Sequence, residues 1–537
     1  MAGIDPQEIP ARAEASGSFY HGCRIDIDSL AVAEDLFAMV DTESHMPGPY
    51  PVIAGVAQFN PRAAGLAEAP EPLAMMETVA RAAAEDCGAP DLLKSIDAVG
   101  VLSMMSARYR NAPDALASRL GIDPRRKLTT TYGGNTPQYL VNHFCNEIAA
   151  GKIRSAMVIG AEAIHTARRA AKSGGVKWNM AQGDGAPEVV GDPRMGTNAY
   201  EDRYGARMPI QVYPMFENAF RARHRWPLGE HRERIAKICA SMTKVAAKNP
   251  YAWFPRELTP EQIGTVTSDN RMICFPYTKV MNAIMEVDLA AGVILTSDIE
   301  ARRLGVSADK LVYVHGASDA TDTWWISGRK SLAHAPMLDQ CVNAALDGAA
   351  IGAREISHFD FYSCFPIALE MAMEAVGMEL GDPRGVTVTG GLPNAGGPAN
   401  NYVTHSIAAM TERLRAHRGE FGMTTGLGWY FTKHGAAVYS TRPPERDFQY
   451  RAFKEPEHPA VTAIENAEGA ATIETYTVEH DRTGAPTAAI IAGRLESGQR
   501  FFARAPHEIL AAMEREEFVG RRGRARNLDG VNLFDPK

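Results

Sequence analysis

A strand-then-helix rhythm runs through the first part of this chain, lapses, and restarts at Leu311. Short β-type runs fall at Pro51 to Gln58, Ile96 to Leu102, Lys127 to Tyr132, Ala156 to Ala161 and Ala290 to Thr296, with helical stretches such as Pro72 to Asp86 between them. Alternating strands and helices build βαβ units, in which parallel strands are buried between helical layers. From Leu311 the order returns. A strand over Leu311 to Val314 leads to a helix over His334 to Ala353, a strand over Ile356 to Phe365 and a helix over Pro366 to Val376. A strand over Val386 to Thr389, a helix over Ala399 to Arg415 and two closing strands, Gly422 to Phe431 and Gly435 to Thr441, complete it. The expected fold is therefore α/β, with two duplicated αβ halves and parallel pairing.

Two stretches break the rhythm. Between about Arg168 and Val287 lies an insertion rich in Trp, Pro and charge, with an amphipathic helix over Glu230 to Ala247; its length suits a lid or loop domain over a site. After Arg442-Pro443-Pro444-Glu445, alternating strands at Ala470 to Glu479, Thr487 to Leu495 and Gln499 to Ala505 mark a small β domain. A helix over Pro506 to Glu517 and a solvated basic tail, Arg521 to Arg526, are expected to close the chain. The organisation is thus an extension over 1–50, a first half over 51–305 carrying the insertion at about 168–287, a second half over 306–442 and a β domain over 443–537.

Composition narrows the function classes. At 537 residues, 45% of them hydrophobic, the chain is a multi-domain globular protein. Its apolar runs fall far short of the roughly 18 residues a membrane span needs. Asp5, Glu8, Glu14, Asp26 and Asp28 interrupt any leader, so the cytoplasm is the expected location. Seven scattered cysteines without a CxxC pair indicate reduced thiols and no metal site. A net charge of −8 argues against nucleic acid as a partner, and no Gly-x-Gly-x-x-Gly follows the first strand, which argues against a dinucleotide cofactor.

Four segments have the form of a strand end feeding a helix or hairpin, where backbone N–H groups and the helix dipole favour negative charge. They are Thr129 to Gln138, His358 to Pro366, Gly390 to Asn401 and Gly422 to Gly428. In the second, period-two alternation places Tyr362 and Cys364 on one face, and Pro366 opens a helix. A thiol just before a helix N-terminus is expected to have a lowered pKa, although a buried inert thiol explains Cys364 taken alone. In the first, Gly133, Gly134 and Asn135 precede Thr136 and Pro137, and a tight turn explains the glycines as well as close approach of a ligand does. The third carries Asn394, Gly396 and Gly397 ahead of a helix with His405; the fourth carries Thr424 and Gly426, and His434 follows at the turn between the closing strands. For both histidines a core or capping role competes with acid–base work.

These four loops in this order, on two αβ halves with a long insertion in the first, resemble the thiolase superfamily from about Pro51 to Thr441. The tail resembles the additional C-terminal domain of thiolase-like proteins of type 1, an OB-like β barrel. The resemblance implies a layered αβαβα core and an acyltransferase activity related to acetyl-CoA acetyltransferases in lipid metabolism. It implies coenzyme A as substrate or ligand rather than as a bound cofactor, and no membrane partner. It also implies assembly as a homodimer or with a protein partner held by the C-terminal domain.

The catalytic side chains of that family are replaced. Gly133-Gly134-Asn135 stands where the Cys-x-Ser nucleophile motif falls, Gly396-Gly397-Pro398 where Gly-His-Pro falls, and Thr424-Thr425-Gly426 where Cys-x-Gly falls. Tyr362-Ser363-Cys364-Phe365 matches the family's His-Asp-Cys-Phe loop in its last two positions. A threonine hydroxyl is too weak an acid to replace a cysteine at neutral pH, so ordinary thiolysis is not expected, whereas the backbone donors of Gly133 and Gly426 survive the substitutions. Two readings stay open. One is an enzyme for acyl transfer, or for C–C bond cleavage or formation on a CoA thioester, with Cys364 as alternative nucleophile or acid and Tyr362, His405 and His434 as proton donors or orienters. Gly133, Gly134, Asn135, Asn394, Gly396, Gly397, Thr424 and Gly426 would then bind substrate. The other is a non-catalytic acyl-CoA scaffold or sensor.

Overall fold

Strand pairing shows the duplication directly. The first half contributes β1 (Pro51–Phe59), β2 (Ala98–Val101), β3 (Arg126–Thr130), β4 (Ser155–Ala163), β5 (Glu188–Val190), β6 (Met272–Cys274), β7 (Tyr277–Thr278) and β8 (Asp288–Ser297). The second contributes β9 (Val312–Thr321), β10 (Ile356–Asp360), β11 (Phe421–Gly428) and β12 (Lys433–Ser440). The first half runs β3-β2-β4-β8-β1 and the second β10-β11-β12-β9. In the first, β2 is parallel to β4, and β8 is antiparallel to both β4 and β1. In the second, β10 is parallel to β11, and β12 is antiparallel to both β11 and β9. Two residue pairs, Val52↔Tyr313 and Ile53↔Val312, join the halves edge to edge. The expectation of parallel pairing therefore holds toward the two ends of the strand order, at β10–β11 and over β4-β2-β3, while the strands in the middle, β11-β12-β9-β1-β8-β4, pair antiparallel. The β11–β12 connection is only Trp429 to Thr432, too short for the crossover that a parallel neighbour requires.

The computed structural model describes residues 49–537 except 63, 64, 174, 175, 177, 179 and 457, so the extension expected over 1–50 falls outside the described residues but for its last two. Between the sheets lie the helices Thr136–Ala149 and Tyr402–Ala416; outside them Pro72–Asp86 covers β1, β4 and β8, and Pro336–Ala349 covers β9 and β12. This is an αβαβα sandwich. Each half also has a glycine where its first strand meets its first outer helix. A Cβ at Gly55 would overlap the Ala83 carbonyl, and one at Gly316 would overlap that of Ala345. The central helices reach solvent only toward their C-termini, at Asn146 and at Glu412, Arg413 and Ala416, so the polar residues of their first turns must bond internally. Gln138 Nε2 accordingly donates to Asn142 Oδ1 (2.8 Å) and Tyr439 Oη (2.9 Å).

The strand expected over Val386 to Thr389 does not form. Asp360 Oδ2 accepts from the backbone N–H groups of Val388 (2.9 Å) and Thr389 (3.1 Å) and from the hydroxyls of Thr387 (2.8 Å) and Thr389 (3.0 Å). A carboxylate thus takes N–H groups that a strand ladder would need, and the segment wraps around the end of β10.

Beyond β13 (Gln449–Phe453), which adds in parallel to β9, the strands β14 (Gly469–His480), β15 (Pro486–Leu495), β16 (Arg500–Arg504), β17 (Arg522–Leu528) and β18 (Val531–Pro536) follow. They close a barrel in the order β14-β15-β16-β18-β17-β14, with β16 and β18 parallel. The expected helix over Pro506 to Glu517 shrinks to a 3-10 turn, His507–Ile509, and Leu510–Met513. The basic stretch expected as a solvated tail is β17, because its alternation buries Gly523 and Ala525 while Arg522 and Arg524 face water.

The barrel grips the insertion, whose main helices are Pro209–Arg223 and Leu228–Ala246. Strand β6 adds to β14 at Cys274↔Glu479, Asn218 Nδ2 donates to the Tyr476 carbonyl (2.9 Å), and buried Arg221 pairs with Glu517 (2.6 Å). Among the described residues no helix is long and apolar enough to cross a membrane.

Candidate functional site

The loop between β3 and the Thr136–Ala149 helix is tied at both ends. Thr136 donates to the Gly133 carbonyl through its N–H (3.0 Å) and its hydroxyl (2.7 Å), which closes the turn into the helix. The Gly133 N–H, expected as an oxyanion donor, is engaged: it donates to Asn400 Oδ1 at 2.8 Å, and Asn400 Nδ2 donates to the Ser103 carbonyl at 2.8 Å. One asparagine from the second half therefore stitches together loops following β2 and β3. The sequence presented Asn400 as one residue of a glycine-rich turn, and nothing local distinguishes it.

The paired glycines are required by close approach. A Cβ at Gly134 would overlap the hydroxyl of Tyr362, which reaches across from the loop after β10. A Cβ at Gly133 would lie 2.6 Å from Asn135 Oδ1 and 2.8 Å from Lys433 Nζ. At Gly428 it would meet Asn135 Oδ1 and stand 2.9 Å from Lys433 Cε. Removing three side chains thus makes room for three others: Tyr362, Asn135 and Lys433.

Lys433 opens β12 and is buried, with its ammonium donating to the Tyr132 carbonyl at 2.6 Å. The rings of Trp429 and Trp324 stand 5.7 and 5.9 Å away. Burial pushes its pKa down to about 8, opposed by the negative charge of Asp192. Sequence reasoning singled out the neighbour, His434. The two side chains point to opposite faces of β12, and register with β11 sets Lys433 against Gly428 and toward Gly133.

Burial governs the remaining candidates. Cys364 precedes the Pro366–Ala375 helix as expected, yet its thiol is pushed up to about 12 rather than down. The N–H groups of Cys364 and Phe365 and a bond with Tyr213 act to lower it, but desolvation outweighs them. His405 bonds Gln58 Oε1 through Nδ1 (2.9 Å) and His434 bonds the Phe431 carbonyl through Nε2 (2.9 Å). Burial depresses both to about 3, so each imidazole is neutral. Tyr362 is raised by burial and by the nearby Cys364. Its N–H donates to Thr425 Oγ1 at 3.0 Å.

The glycine-rich third loop is held by the insertion and by its own turns. Asn394 Nδ2 donates to the Gly390 carbonyl (3.1 Å), the Gly397 N–H to the Ile284 carbonyl (2.9 Å), and Gly396 packs on Trp253 and Val287. Thr424 donates to Gln138 Oε1 (2.6 Å), which places its hydroxyl in the network of the central helix; Gly426, two residues on, abuts Asn135. The four loops thus converge through Gly133, Asn135, Tyr362, Asn400 and Gly426, while Asn394, Gly396 and Gly397 line the face toward the insertion. From that insertion Tyr213 stacks on Phe365 (4.7 Å between centroids) and donates to the Trp429 carbonyl (2.5 Å).

Beyond Trp324 opens a cavity of about 550 Å³ lined by Arg194, Trp324, Trp325, Ser327 and Glu455. The Arg194 guanidinium lies 3.9 Å over the Trp324 ring and pairs with Asp192 and Glu455. Two clusters of histidine and carboxylate, Glu217–His231–Glu370 and His358–His417–Glu420, bring their ligand atoms within 4.8 Å of one another. In the first, Tyr277 donates to Glu217 (2.6 Å) and Arg234 pairs with Glu370 (2.6 Å), so protein groups already partner both carboxylates.

Comparison with known proteins places this arrangement. Residues 455–530 match the model of the thiolase-like protein type 1 additional C-terminal domain. The structure is similar to that of a monomeric SCP2-thiolase like protein type 1 from Mycobacterium smegmatis, at 31% identity and a TM-score of 0.76, covering 91% of this chain and 99% of that one. An acetyl-CoA acetyltransferase of Methanothermobacter thermautotrophicus is 26% identical over 306 residues, 52% of this chain and 77% of that protein. The acetyl-CoA acetyltransferase of Syntrophomonas wolfei, at 15% identity, a TM-score of 0.54 and coverage of 74% and 100%, shares the fold.

Proposed function

This chain belongs to the thiolase-like proteins of type 1, and from that membership we propose that it processes acyl thioesters of coenzyme A by carbon–carbon bond cleavage or formation without an acyl-cysteine intermediate. Coenzyme A enters as part of the substrate. The observation that carries this reading is the meeting of Tyr362 with Gly134 at the mouth of the central helix, in a site whose one cysteine, Cys364, stays protonated at neutral pH. A thiol titrating near 12 is a poor nucleophile but remains a hydrogen-bond donor. Cys364 and Tyr362 then act as donors to a thioester carbonyl on which negative charge develops. His405 and His434 act as neutral orienters, and Gly133, Gly134, Asn135, Asn394, Gly396, Gly397, Thr424 and Gly426 shape the binding surface.

The test is incubation with a panel of 3-oxoacyl- and 3-hydroxyacyl-CoA thioesters, with and without free CoA, following both turnover and protein mass. Turnover without any acyl adduct at Cys364 is the expected result, with Cys364→Ala slowed about 10²- to 10³-fold. A covalent acyl-cysteine would sink the non-covalent route. One observation favours a second reading, a non-catalytic acyl-CoA scaffold: the Gly133 N–H is already taken by Asn400. Tight binding with no turnover of any thioester in the panel would select it.

A further inference from the structure

Lys433 is a buried amine in the place a nucleophile would occupy. Its Nζ stands 2.8 Å from where the Cβ of any side chain at Gly133 would begin, and beside it points Asn135 Oδ1, buried and without a hydrogen-bond partner. The ammonium has three protons to place, yet its one hydrogen bond is to the Tyr132 carbonyl, and no carboxylate forms an ion pair with it among the described residues. The charged group that bears on it is Asp192, itself paired with Arg194, which in turn pairs with Glu455 across the Trp324 ring. His434, its neighbour in sequence, is neutral. A structural lysine would be better partnered or would reach water.

We propose that Lys433 is the general base of the site and that its substrates are 3-hydroxyacyl thioesters, cleaved between C2 and C3. The proposal rests on the reading above that the site takes acyl-CoA. The choice of substrate class follows from what the site holds. Turnover of a 3-oxoacyl thioester needs a nucleophile on the protein that can take the acyl fragment and release it again; Gly133 has no side chain, Cys364 is buried and protonated, and acylation of Lys433 would end in a stable amide. Cleaving a 3-hydroxyacyl thioester needs a base and an electron sink, and no acyl acceptor.

The step balances without a co-reactant. Neutral Lys433 takes the proton of the 3-hydroxyl, whose O–H electron pair becomes the second bond of a C3 carbonyl. The C2–C3 pair moves onto C2 and is held as the enolate of the thioester, facing the donors Tyr362 and Cys364. Protonation of C2, with the proton returned from Lys433, leaves the shortened acyl-CoA and a free aldehyde or ketone. Asn135 Oδ1, beside the amine, is placed to accept an N–H of Lys433 and so aim the amine lone pair at the substrate hydroxyl, whose one proton goes to that lone pair. A lysine titrating near 8 has a substantial neutral fraction at physiological pH, as this role requires.

The experiment measures aldehyde or ketone release by the full-length protein from 3-hydroxyacyl-CoA substrates. Lys433→Ala is expected to lose 10²- to 10⁴-fold in kcat while acyl-CoA affinity stays within about threefold. Added methylamine or ethylamine should restore part of the rate, the stronger base restoring more, and the rise of wild-type kcat through about pH 8 should vanish in the variant. A second measurement avoids dependence on the variant's folding: in the wild-type protein, reductive methylation of Lys433, read by mass spectrometry, should slow when acyl-CoA is bound. Full turnover by Lys433→Ala, or labelling of Lys433 that is indifferent to bound acyl-CoA, would overturn the base assignment and leave thioester processing standing. Failure of every thioester to bind would overturn both.

Discussion

Asp288 and Lys433 hold the same position in the two halves. Each opens the strand that returns antiparallel beside the inner sheet, Asp288 opposite Ala163 on β4 and Lys433 opposite Gly428 on β11. Both are buried. Asp288 accepts from the Thr166 N–H (3.1 Å) and hydroxyl (2.7 Å) in the first turn of the Ile164–Ser173 helix, where a carboxylate also meets the positive end of the helix dipole. Lys433 meets one carbonyl and two indole rings. The same backbone slot therefore carries a well-partnered charge in one half and an under-partnered one in the other. Duplication supplied two equivalent frames, and the surrounding loops decided how each buried charge is partnered.

The largest effect that bears on this equivalence is expected at the two strand glycines. Gly55→Ala and Gly316→Ala each drive a methyl group into a helix carbonyl that cannot turn away, and each should cost about 3 kcal/mol, seen as a lowered denaturation midpoint. Tolerance at one site alone would show that the halves match in topology but not in packing.

Lys433→Met comes next and runs the other way. Replacing a buried ammonium by an apolar side chain of similar length should raise stability by about 2 kcal/mol at pH 7 while slowing turnover about 10²- to 10⁴-fold, as Lys433→Ala does. The sign follows from titration. The folded-state pKa, about 8, lies below the unfolded value, so the fold pays for protonating Lys433 in full below pH 8. That cost fades as pH rises toward about 10.5, the ordinary lysine value, and the advantage of the methionine variant should fade with it. A gain that persists above pH 11 would mean that packing, not charge, is responsible. Asp288→Ala should be the smallest of the three, a loss of about 1 kcal/mol from an uncapped helix with no gain at any pH. If it stabilised instead, the contrast between the two positions would fail.

Much of the fold was legible because periodicity is local. The restart at Leu311, the Pro-initiated helices and the alternation of the C-terminal strands follow from side-chain spacing within a few residues. Val386 to Thr389 misled because its β-branched pattern says nothing of Asp360, 26 residues upstream, which captures its N–H groups. The arginines of β17 read as a tail because charge is conspicuous and the small inward residues between them are not. In the site, the four loops and Tyr362 could be found from sequence, whereas Asn400 and Lys433 could not, since each acts on a loop hundreds of residues away.

By itself the sequence determined that there are two αβ halves and that a long insertion interrupts the first, since these are properties of residue type and spacing. Tertiary structure decided what packs against the glycines of the converging loops. Strand register turned Lys433 inward and His434 away, and depth of burial raised the Cys364 thiol while lowering the Lys433 amine. Both outcomes have one physical cause: desolvation disfavours whichever form is charged, and how dry a position is depends on chain segments far from it in sequence.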